Sequence, residues 1–513
     1  MKPKDKYEII SEMAKRRGYF WPSYEIYGGV GGFLTFGPLG SLLKKRLEEK
    51  FRSFYIRPLG ILEIETSVIM PGRVLESSGH VENFKEPTVE CEKCQRKFRA
   101  DHLLQEFGKM TDTETEKLAL QSVVAEIKNR NIKCPECGGT FSKAEQFMTM
   151  FTTTIGPYSD SIGYGRPEAA QGIFVEFKRI FESARNRLPL GVVQIGHALR
   201  NEISPRQGPV RLREFTIIDL EFFLDPEDKK CPVLNEVENE TLRMIIAENK
   251  MKNIPEPITI TVKDALTKGI IKEEWQAYFM ALAKKFLVEL GVPEEQQRFI
   301  EKLEWERAHY SVQGFDQEVH TERWGWVEVS GHNYRTDYDL SRHMKASGVD
   351  LTTFKESVNG GRRFVPHVIE PSFGLDRLAY VALEYAYTKR NKRNLLSLSR
   401  DIAPIQMSVF PLVSKDGLPK KAKEIYHMLL TEGLLVEFDE SGSIGRRYAR
   451  ADEAGTVLGV TIDYQTLEDG TVTLRDRDSW RQVRSKIDCL PNLIPEYFRH
   501  KIEFEDLGKL IER

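Results

Sequence analysis

The chain has 513 residues, 40% of them apolar and 30% charged, enough for two to four domains with cores of their own; this excludes a peptide module or a disordered tail. Its 75 Lys and Arg stand against 77 Asp and Glu, a net charge of -2, so any polyanion must meet local basic patches rather than an overall field. The N-terminal "MKPKDKYEII" has no apolar signal core, and nowhere do 18 uncharged apolar residues run together, so we expect a cytoplasmic protein with no membrane partner.

Residues 38–56, "PLGSLLKKRLEEKFRSFYI", place Leu39, Leu42, Leu43, Leu47, Phe51 and Phe54 at helical spacing, with Pro58 just beyond; an amphipathic helix is predicted. A β-rich run, "ILEIETSVIMP", follows over 61–71. Residues 88–145 read as an insertion, in which "CEKC" at 91–94 and "CPECGG" at 134–139 flank a charged helical stretch. Six cysteines are too few for a disulfide scaffold, and two C-x-x-C pairs offer tetrahedral Zn²⁺ the thiolates of Cys91, Cys94, Cys134 and Cys137. Structural thiols without metal remain the alternative, because the 39-residue spacer exceeds the usual ribbon loop.

The stretch "ALRNEISPRQGPVRLREFTIIDLEFF", 198–223, joins two β-branched runs through a Ser-Pro-Arg-Gln-Gly-Pro turn. Strand alternation sends Arg200 and Glu202 to one face, and on the returning strand Arg211, Arg213, Phe215, Ile217 and Asp219 share a face. Two readings stand: a solvated face laced with ion pairs, or the wall of a cleft. A second insertion, rich in Glu and Lys and helical in "EEWQAYFMALAKKFLVEL", covers 226–317, and the sheet is expected to resume at "WGWVEVSG". In residues 363–387 an apolar strand up to Glu370 meets a Pro-Ser-Phe-Gly turn, and a helix starts near Leu375 with Asp376 and Arg377 in its first turn. A cation there opposes the helix dipole, so Arg377 answers either to a bound phosphate or carboxylate or to Asp376 or a neighbouring Glu. Beyond the basic stretch 388–400, strands alternate with helices, which makes 401–513 a separate α/β domain. Its Arg446, Arg447, Arg450, Arg475, Arg477 and Arg481 are either phosphate contacts or a solvated face.

Together these segments resemble the class II aminoacyl-tRNA synthetases, and specifically the glycyl-tRNA synthetase family of the dimeric archaeal and eukaryotic type. Residues 38–71 resemble motif 1, "LRNE" through "REF" motif 2, and "GLDR" motif 3. The glycine-type features are "GPLG" at 37–40, "SGHVENF" at 78–84, "RPEAAQGIFVEFK" at 166–178, "RNEISPRQG" at 200–208 and "VIEPSFGLDR" at 368–377. The resemblance implies an α/β (α+β) fold: an antiparallel sheet with flanking helices, zinc-ribbon-like and helical insertions, and a C-terminal α/β anticodon-binding domain. The division is then catalytic core over 1–87, 146–225 and 318–400, zinc-binding insertion over 88–145, helical insertion over 226–317, and anticodon-binding domain over 401–513. A homodimer is implied through motif 1, and tRNA(Gly), glycine, ATP and Mg²⁺ are implied as partners.

Residue by residue, the resemblance implies that Arg200 binds the ATP α-phosphate, Glu202 receives the adenine edge, and Phe215 and Arg377 sandwich the adenine. Glu328 would hold Mg²⁺, and Gly374 would leave room for the nucleotide. Asn201, Val210, Arg211, Leu212, Arg213, Glu214, Val329, Leu375 and Asp376 complete the implied ATP site. Arg206 in the turn is expected to meet phosphate. Around glycine it implies Glu168, Asp219, Glu370 and Ser372, with Arg99, Phe215, Pro366 and His367. Asp219 stands where Glu is expected, one methylene shorter. No nucleophilic side chain is needed, since positioning and charge stabilisation carry the chemistry, and because every competitor of glycine is larger, no editing domain is expected. A non-catalytic paralogue, or a class II ligase for another amino acid, are the alternatives.

Overall fold

The computed structural model describes residues 5–511 except 112, 113, 116, 117, 159, 204, 206 and 357–360; Arg206 therefore lies outside the described residues. Helix α1 (Lys6–Arg17) is capped by Asp5, which accepts from the Glu8 amide at 2.9 Å, and is turned at its end by Gly18 in the left-handed region (φ 79°). Helix α2 (Pro38–Phe51) has Pro38 in its first turn and buries Leu43, Leu47 and Phe51, four residues apart. It runs on through a π-helical turn, Arg52–Ile56, which stacks Tyr55 on Phe51 with ring centroids 4.5 Å apart. The run 61–71 differs from the expected continuous β segment. It forms two short strands, β1 (Leu62–Glu63) and Ile69–Pro71, in different sheets. Between them, the Thr66 carbonyl accepts from the Arg166 guanidinium and the Val68 carbonyl from the Arg166 amide, so a loop forms where the ladder would continue.

The body of the molecule is a nine-stranded sheet. After β1 its strands are β2 (Leu190–Leu199), β3 (Glu214–Leu224), β4 (Thr241–Ile245), β5 (Ile258–Thr261), β6 (Gln297–Glu301), β7 (Gln313–Thr321), β8 (Gly325–Thr336) and β9 (His367–Gly374). They lie in the order β5-β4-β6-β7-β8-β9-β3-β2-β1, antiparallel except for β1 with β2 and β4 with β6. Residues 226–317 are thus no helical insertion beside the sheet: they build β4, β5, β6 and the start of β7. Apart from Glu301, their Glu and Lys fall in the helices and loops between these strands, which hid the strands behind a charged composition.

Adjacent residues of β3 show how the layers are assembled, because successive side chains face opposite ways. Phe223 meets Phe174 and Phe177 of helix α3 (Ala170–Ser183) at 6.0 and 4.6 Å. Phe222 meets Trp275 and Phe279 of helix α4 (Glu274–Glu289) at 4.3 and 5.2 Å on the other face. Asp219 and Glu221 share the parity of Phe223 and so point to the α3 side. Helices α5 (Tyr338–Ser347) and α6 (Leu375–Ala386) follow β8 and β9 directly.

A smaller unit spans residues 85–148. Its three-stranded sheet (Lys85–Cys91, Lys97–Arg99, Phe141–Met148) and two helices enclose a core of Val89, Phe98, Leu104, Val123, Ile127 and Phe141. The C-terminal domain is a six-stranded sheet opening on β10 (Met407–Pro411), with helices α7 (Leu418–Thr431) and α8 (Ile444–Glu453) against it. Helix α1 ties this domain to the central body. At one end Arg17 pairs with Glu453 at 2.6 Å and the Tyr19 hydroxyl donates to the Ala454 carbonyl at 2.9 Å. At the other, the Tyr7 ring packs edge-on to Trp324 at 4.8 Å, its hydroxyl against Gly208. No helix of the described residues is long and apolar enough to cross a membrane.

Candidate active site

Two adjoining features occupy the α3 face of the sheet, and strand register sets their spacing. Ile217 pairs with Gly374, and Asp219 pairs with Ser372. Two residues along these strands, about 7 Å, separate the two features.

The first is a cleft open to solvent, lined by Arg200, Glu202, Val210, Arg211, Leu212, Phe215, Glu328, Val329, Gly374 and Arg377 among others. Arg200 donates Nε–H to the Pro167 carbonyl at 3.1 Å, and its guanidinium lies 5.4 Å from the Phe215 ring centre. Arg377 is fixed by two backbone acceptors, the carbonyls of Val210 at 2.8 Å and Glu328 at 2.7 Å, with the Glu328 carboxylate at 3.5 Å. Its partner is therefore Glu328 rather than Asp376. Lys302, Arg200 and above all Arg377 outweigh burial and hold the Glu328 carboxyl below its ordinary range.

Several residues expected at the nucleotide also make contacts within the fold. Arg213 donates to the Glu202 carbonyl at 2.8 and 3.1 Å and to the Gly31 carbonyl at 2.7 Å, because β3 starts only at Glu214 and the alternation does not extend back to it. Asp376 is buried, with one oxygen on Lys44 (2.6 Å) and the other on the Thr216 amide (2.5 Å). Leu375 is a core residue. The Asn201 amide donates to the Thr149 carbonyl at 2.6 Å, and Glu214, of opposite parity to Phe215, faces His197 at 3.5 Å.

The second feature is a buried acidic cluster of Glu168, Asp219, Glu221, Asp339 and Glu370, each at most 5% exposed. One fully buried guanidinium, Arg335, binds Asp339 at 2.8 and 2.9 Å and Glu370 at 2.5 Å, and lies 3.5 Å from Glu168. The Tyr310 ring covers it at 3.5 Å, a cation–π contact that adds to its fixation. Burying five carboxylates around one guanidinium drives protons onto the cluster. Burial, then the Glu168 charge, pushes Asp219 up to about 6. Burial pushes Glu370 up to about 8 against the pull of Arg335. Burial, then Glu370, lifts Glu221 well above the carboxylate range, and both its oxygens lack a hydrogen-bond partner among the described residues. Glu168 goes the other way: burial would raise it, but His80 and then Arg335 hold it well below its ordinary value.

Besides the Glu221 oxygens, acceptor capacity remains among the described residues at Asp219 and Glu168, with the Ser372 hydroxyl nearby. Asp219 spends Oδ2 on the Ala169 amide at 2.6 Å, leaving Oδ1. Glu168 Oε2 has only a long 3.4 Å bond from the Tyr310 hydroxyl, and Ser372 sits opposite Asp219 with its hydroxyl beside Gly331. Of the other residues expected here, Arg99 lies in the cysteine-bearing unit, paired with Glu86 and Asp101 on the side of Glu202, not at the cluster. Pro366 and His367 stand at the far end of β9, where His367 pairs with Leu224 and bonds the Tyr334 hydroxyl at 2.5 Å. Arg335, Asp339 and Glu221 were given no role in the sequence reading, and His80 entered it only as part of "SGHVENF" at 78–84. Glu221 was reachable from it, two residues beyond Asp219 on the same strand.

In the smaller unit the Sγ atoms of Cys91, Cys94, Cys134 and Cys137 all lie within 4.8 Å of one another. The Cys91–Cys137 and Cys94–Cys134 separations, 3.5 and 3.7 Å, approach the roughly 3.8 Å edge of a tetrahedron with about 2.3 Å metal–sulfur bonds. Gly139 is required here, since a Cβ would come within 2.9 Å of Cys91 Sγ. The amides of Cys94 and Lys93 bring the Cys91 thiol down to about 7.

In the C-terminal domain, five of the six arginines weighed as phosphate contacts are engaged within the fold. Arg447 donates to the carbonyls of Pro411, Glu440 and Gly442, Arg475 pairs with Asp452, and Arg477 binds the Gly455 and Leu398 carbonyls. Arg450 pairs with Asp439 and Arg481 with Glu505. Arg446 is exposed.

Comparisons with known proteins agree with this arrangement. Residues 406–497 match the anticodon binding domain family. The chain is 45% identical to the glycine--tRNA ligase of Aeropyrum pernix, over 98% of this chain and 99% of that one. It is 43% identical to the enzyme of Pyrococcus horikoshii, over 96% and 98%. Among solved structures, a prolyl-tRNA synthetase from Cryptosporidium parvum complexed with L-proline and AMP shares the fold, with a TM-score of 0.56 over 96% of this chain and 78% of that one at 14% identity. Near-complete coverage at such identity, on a class II sheet with its C-terminal anticodon-binding domain in place, means that the chain belongs to the glycine--tRNA ligase family.

Proposed function

We infer that the chain activates glycine with ATP and transfers the glycyl group to the 3′ end of tRNA(Gly). The observation that carries this reading is the buried acidic cluster, with acceptors to spare, two residues along the strands from the cleft of Arg200, Phe215 and Arg377. An ammonium has three N–H bonds to offer, and Glu168 Oε2, Asp219 Oδ1 and Ser372 Oγ supply three acceptors. In the adjoining cleft Phe215 and Arg377 take the faces of the adenine, Glu202 its edge and Arg200 the α-phosphate, while Glu328 would hold Mg²⁺, which would neutralise phosphate charge. The glycine carboxylate attacks the α-phosphorus and pyrophosphate leaves. The terminal ribose hydroxyl of the tRNA then attacks the glycyl carbonyl and AMP leaves. The chain's own groups orient and neutralise, and none forms a covalent intermediate.

The protonated state of the cluster gives a test. Asp219 and Glu370 are raised above ordinary carboxyl values, so between about pH 4 and 8 the folded protein holds protons that the unfolded chain has lost. Without ligand, stability therefore falls as pH rises through that window. A bound ammonium replaces those protons, and glycine affinity rises over the same range. Titration calorimetry should show the glycine Kd tightening by roughly tenfold or more between pH 6 and 8, with release of about one proton at pH 7. A flat profile with no proton release would contradict the cluster as the ammonium site.

The four cysteines are assigned to structural Zn²⁺, with four protein ligands and no open position. Purified protein should carry about one equivalent of zinc per chain. Cys134→Ser should lose it and expose residues 85–148 to proteolysis, whereas a metal-free preparation with that unit intact would refute the assignment. We place the enzyme in the cytoplasm as a homodimer, with the short edge strand β1 and the π-extended α2 at the interface and the C-terminal domain on the anticodon.

A further inference from the structure

Ser78 and His80 lie outside every residue set assigned to ATP or glycine, yet both are 0% exposed. His80 Nδ1 is 2.7 Å from Ser78 Oγ, and its Nε2 is 3.2 Å from Glu168 Oε1. The proton inventory of this chain of atoms is restricted. Ser78 Oγ has one hydrogen and two possible acceptors, His80 Nδ1 and the Leu75 carbonyl at 3.2 Å. If the hydroxyl donates to Nδ1, the imidazole hydrogen is on Nε2. If it donates to Leu75, Nδ1 carries the hydrogen. Nε2 stands 3.2 Å from Glu168 Oε1, at ion-pair distance but without an aligned hydrogen bond among the described residues.

The turn that presents this histidine is built for the purpose. Gly79 between the two residues has φ +86°, and a Cβ there would come 3.2 Å from the Tyr338 hydroxyl. The ring is stacked on Phe84 at 5.1 Å and meets His309 edge-on at 5.3 Å, while His309 Nε2 lies 3.0 Å from the Ser78 carbonyl. On the carboxylate side, Oε1 also accepts from Gln171 at 3.1 Å and lies 3.5 Å from Arg335. All strong partners therefore gather on Oε1, and Oε2 is left for a ligand.

We propose that Ser78 and His80 are positioning residues for amino-acid recognition: held by Ser78, the His80 ring sets its Nε2 3.2 Å from Glu168 Oε1 and so fixes that carboxylate with Oε2 toward the substrate ammonium. The inference rests on the glycine reading above and names residues that reading does not use.

The test is glycine-dependent exchange of pyrophosphate into ATP, run on the full-length protein. His80→Leu should raise KM for glycine at least tenfold while KM for ATP stays within about twofold. His80→Gln, which keeps an N–H near the Nε2 position, should recover most of that loss, and Ser78→Ala, which removes only the hydroxyl, should raise KM for glycine about threefold. In a Glu168→Gln background, His80→Leu should add little further. The proposal is overturned if KM for both substrates rises together, if Leu and Gln variants are equally impaired, or if the His80 and Glu168 effects multiply. Should His80→Leu not fold, Ser78→Ala and His80→Gln decide on the same two constants. Failure of the glycine reading itself would look different: the wild-type protein would show no glycine-dependent exchange.

Discussion

Arg377→Ala should lower glycine-dependent ATP–pyrophosphate exchange by at least about a thousandfold while leaving the fold and tRNA binding nearly unchanged. Loss of a single preorganised donor to a developing anion costs about 10² to 10³ in rate, and an arginine on a transferring phosphoryl group about 10³ to 10⁵. Arg377 is placed to act in both ways. Its guanidinium is held by the Val210 and Glu328 carbonyls at the mouth of the cleft, so little freedom is lost when a nucleotide arrives. It is part-exposed and lies outside the core, so thermal stability should shift by no more than about 1 kcal/mol. Arg377→Lys should not rescue, because an ammonium cannot bond two carbonyls and lie flat over a base. Exchange, tRNA filter binding and a thermal melt on the same preparations decide it. Equal loss of exchange and melting temperature would make Arg377 a structural residue.

Arg335→Leu should have the largest effect on the protein as a whole. It removes the one fully buried guanidinium of a cluster of five carboxylates, leaving Asp339, Glu370 and Glu168 without their shared partner. Breaking a buried ionic network from one side costs about 3 to 5 kcal/mol, a large share of the roughly 5 to 15 kcal/mol that holds a domain folded. The sign with pH separates this from an ordinary core defect. Without Arg335 the carboxyls are pushed further up, so the variant should be closest to wild type near pH 5, where the cluster is protonated, and lose ground as pH rises toward 8. Urea midpoints at several pH values check this. A deficit independent of pH would mean that packing against Tyr310 and Phe174, not charge, is what Arg335 supplies.

Much of the cleft was legible in the sequence because it is local. Phe215 and Ile217, like Asp219 in the neighbouring cluster, follow strand alternation, and Gly374 with Arg377 follows the strand-to-helix turn. Arg213 was misplaced because alternation was carried two residues beyond the strand's true start at Glu214. The strands in 226–317 were missed because Glu and Lys in their loops outweighed short apolar alternations. Arg335, a hundred residues and more from Glu168 and Asp219, joins them only through the pairing of β8, β9 and β3. His309 and Tyr310, which carry no motif of their own, likewise gain a role only in the fold, where His309 braces Ser78 and Tyr310 covers Arg335.

The claim that ties these features together is that one site accepts ATP and glycine and nothing larger. The measurement that tests it most directly is pyrophosphate exchange into ATP with purified protein across glycine, alanine and serine. Glycine should drive exchange, with kcat/KM for alanine and serine lower by at least about tenfold to two-hundredfold, since each added group must be packed into a filled pocket. Exchange driven by alanine or serine but not by glycine would contradict the account.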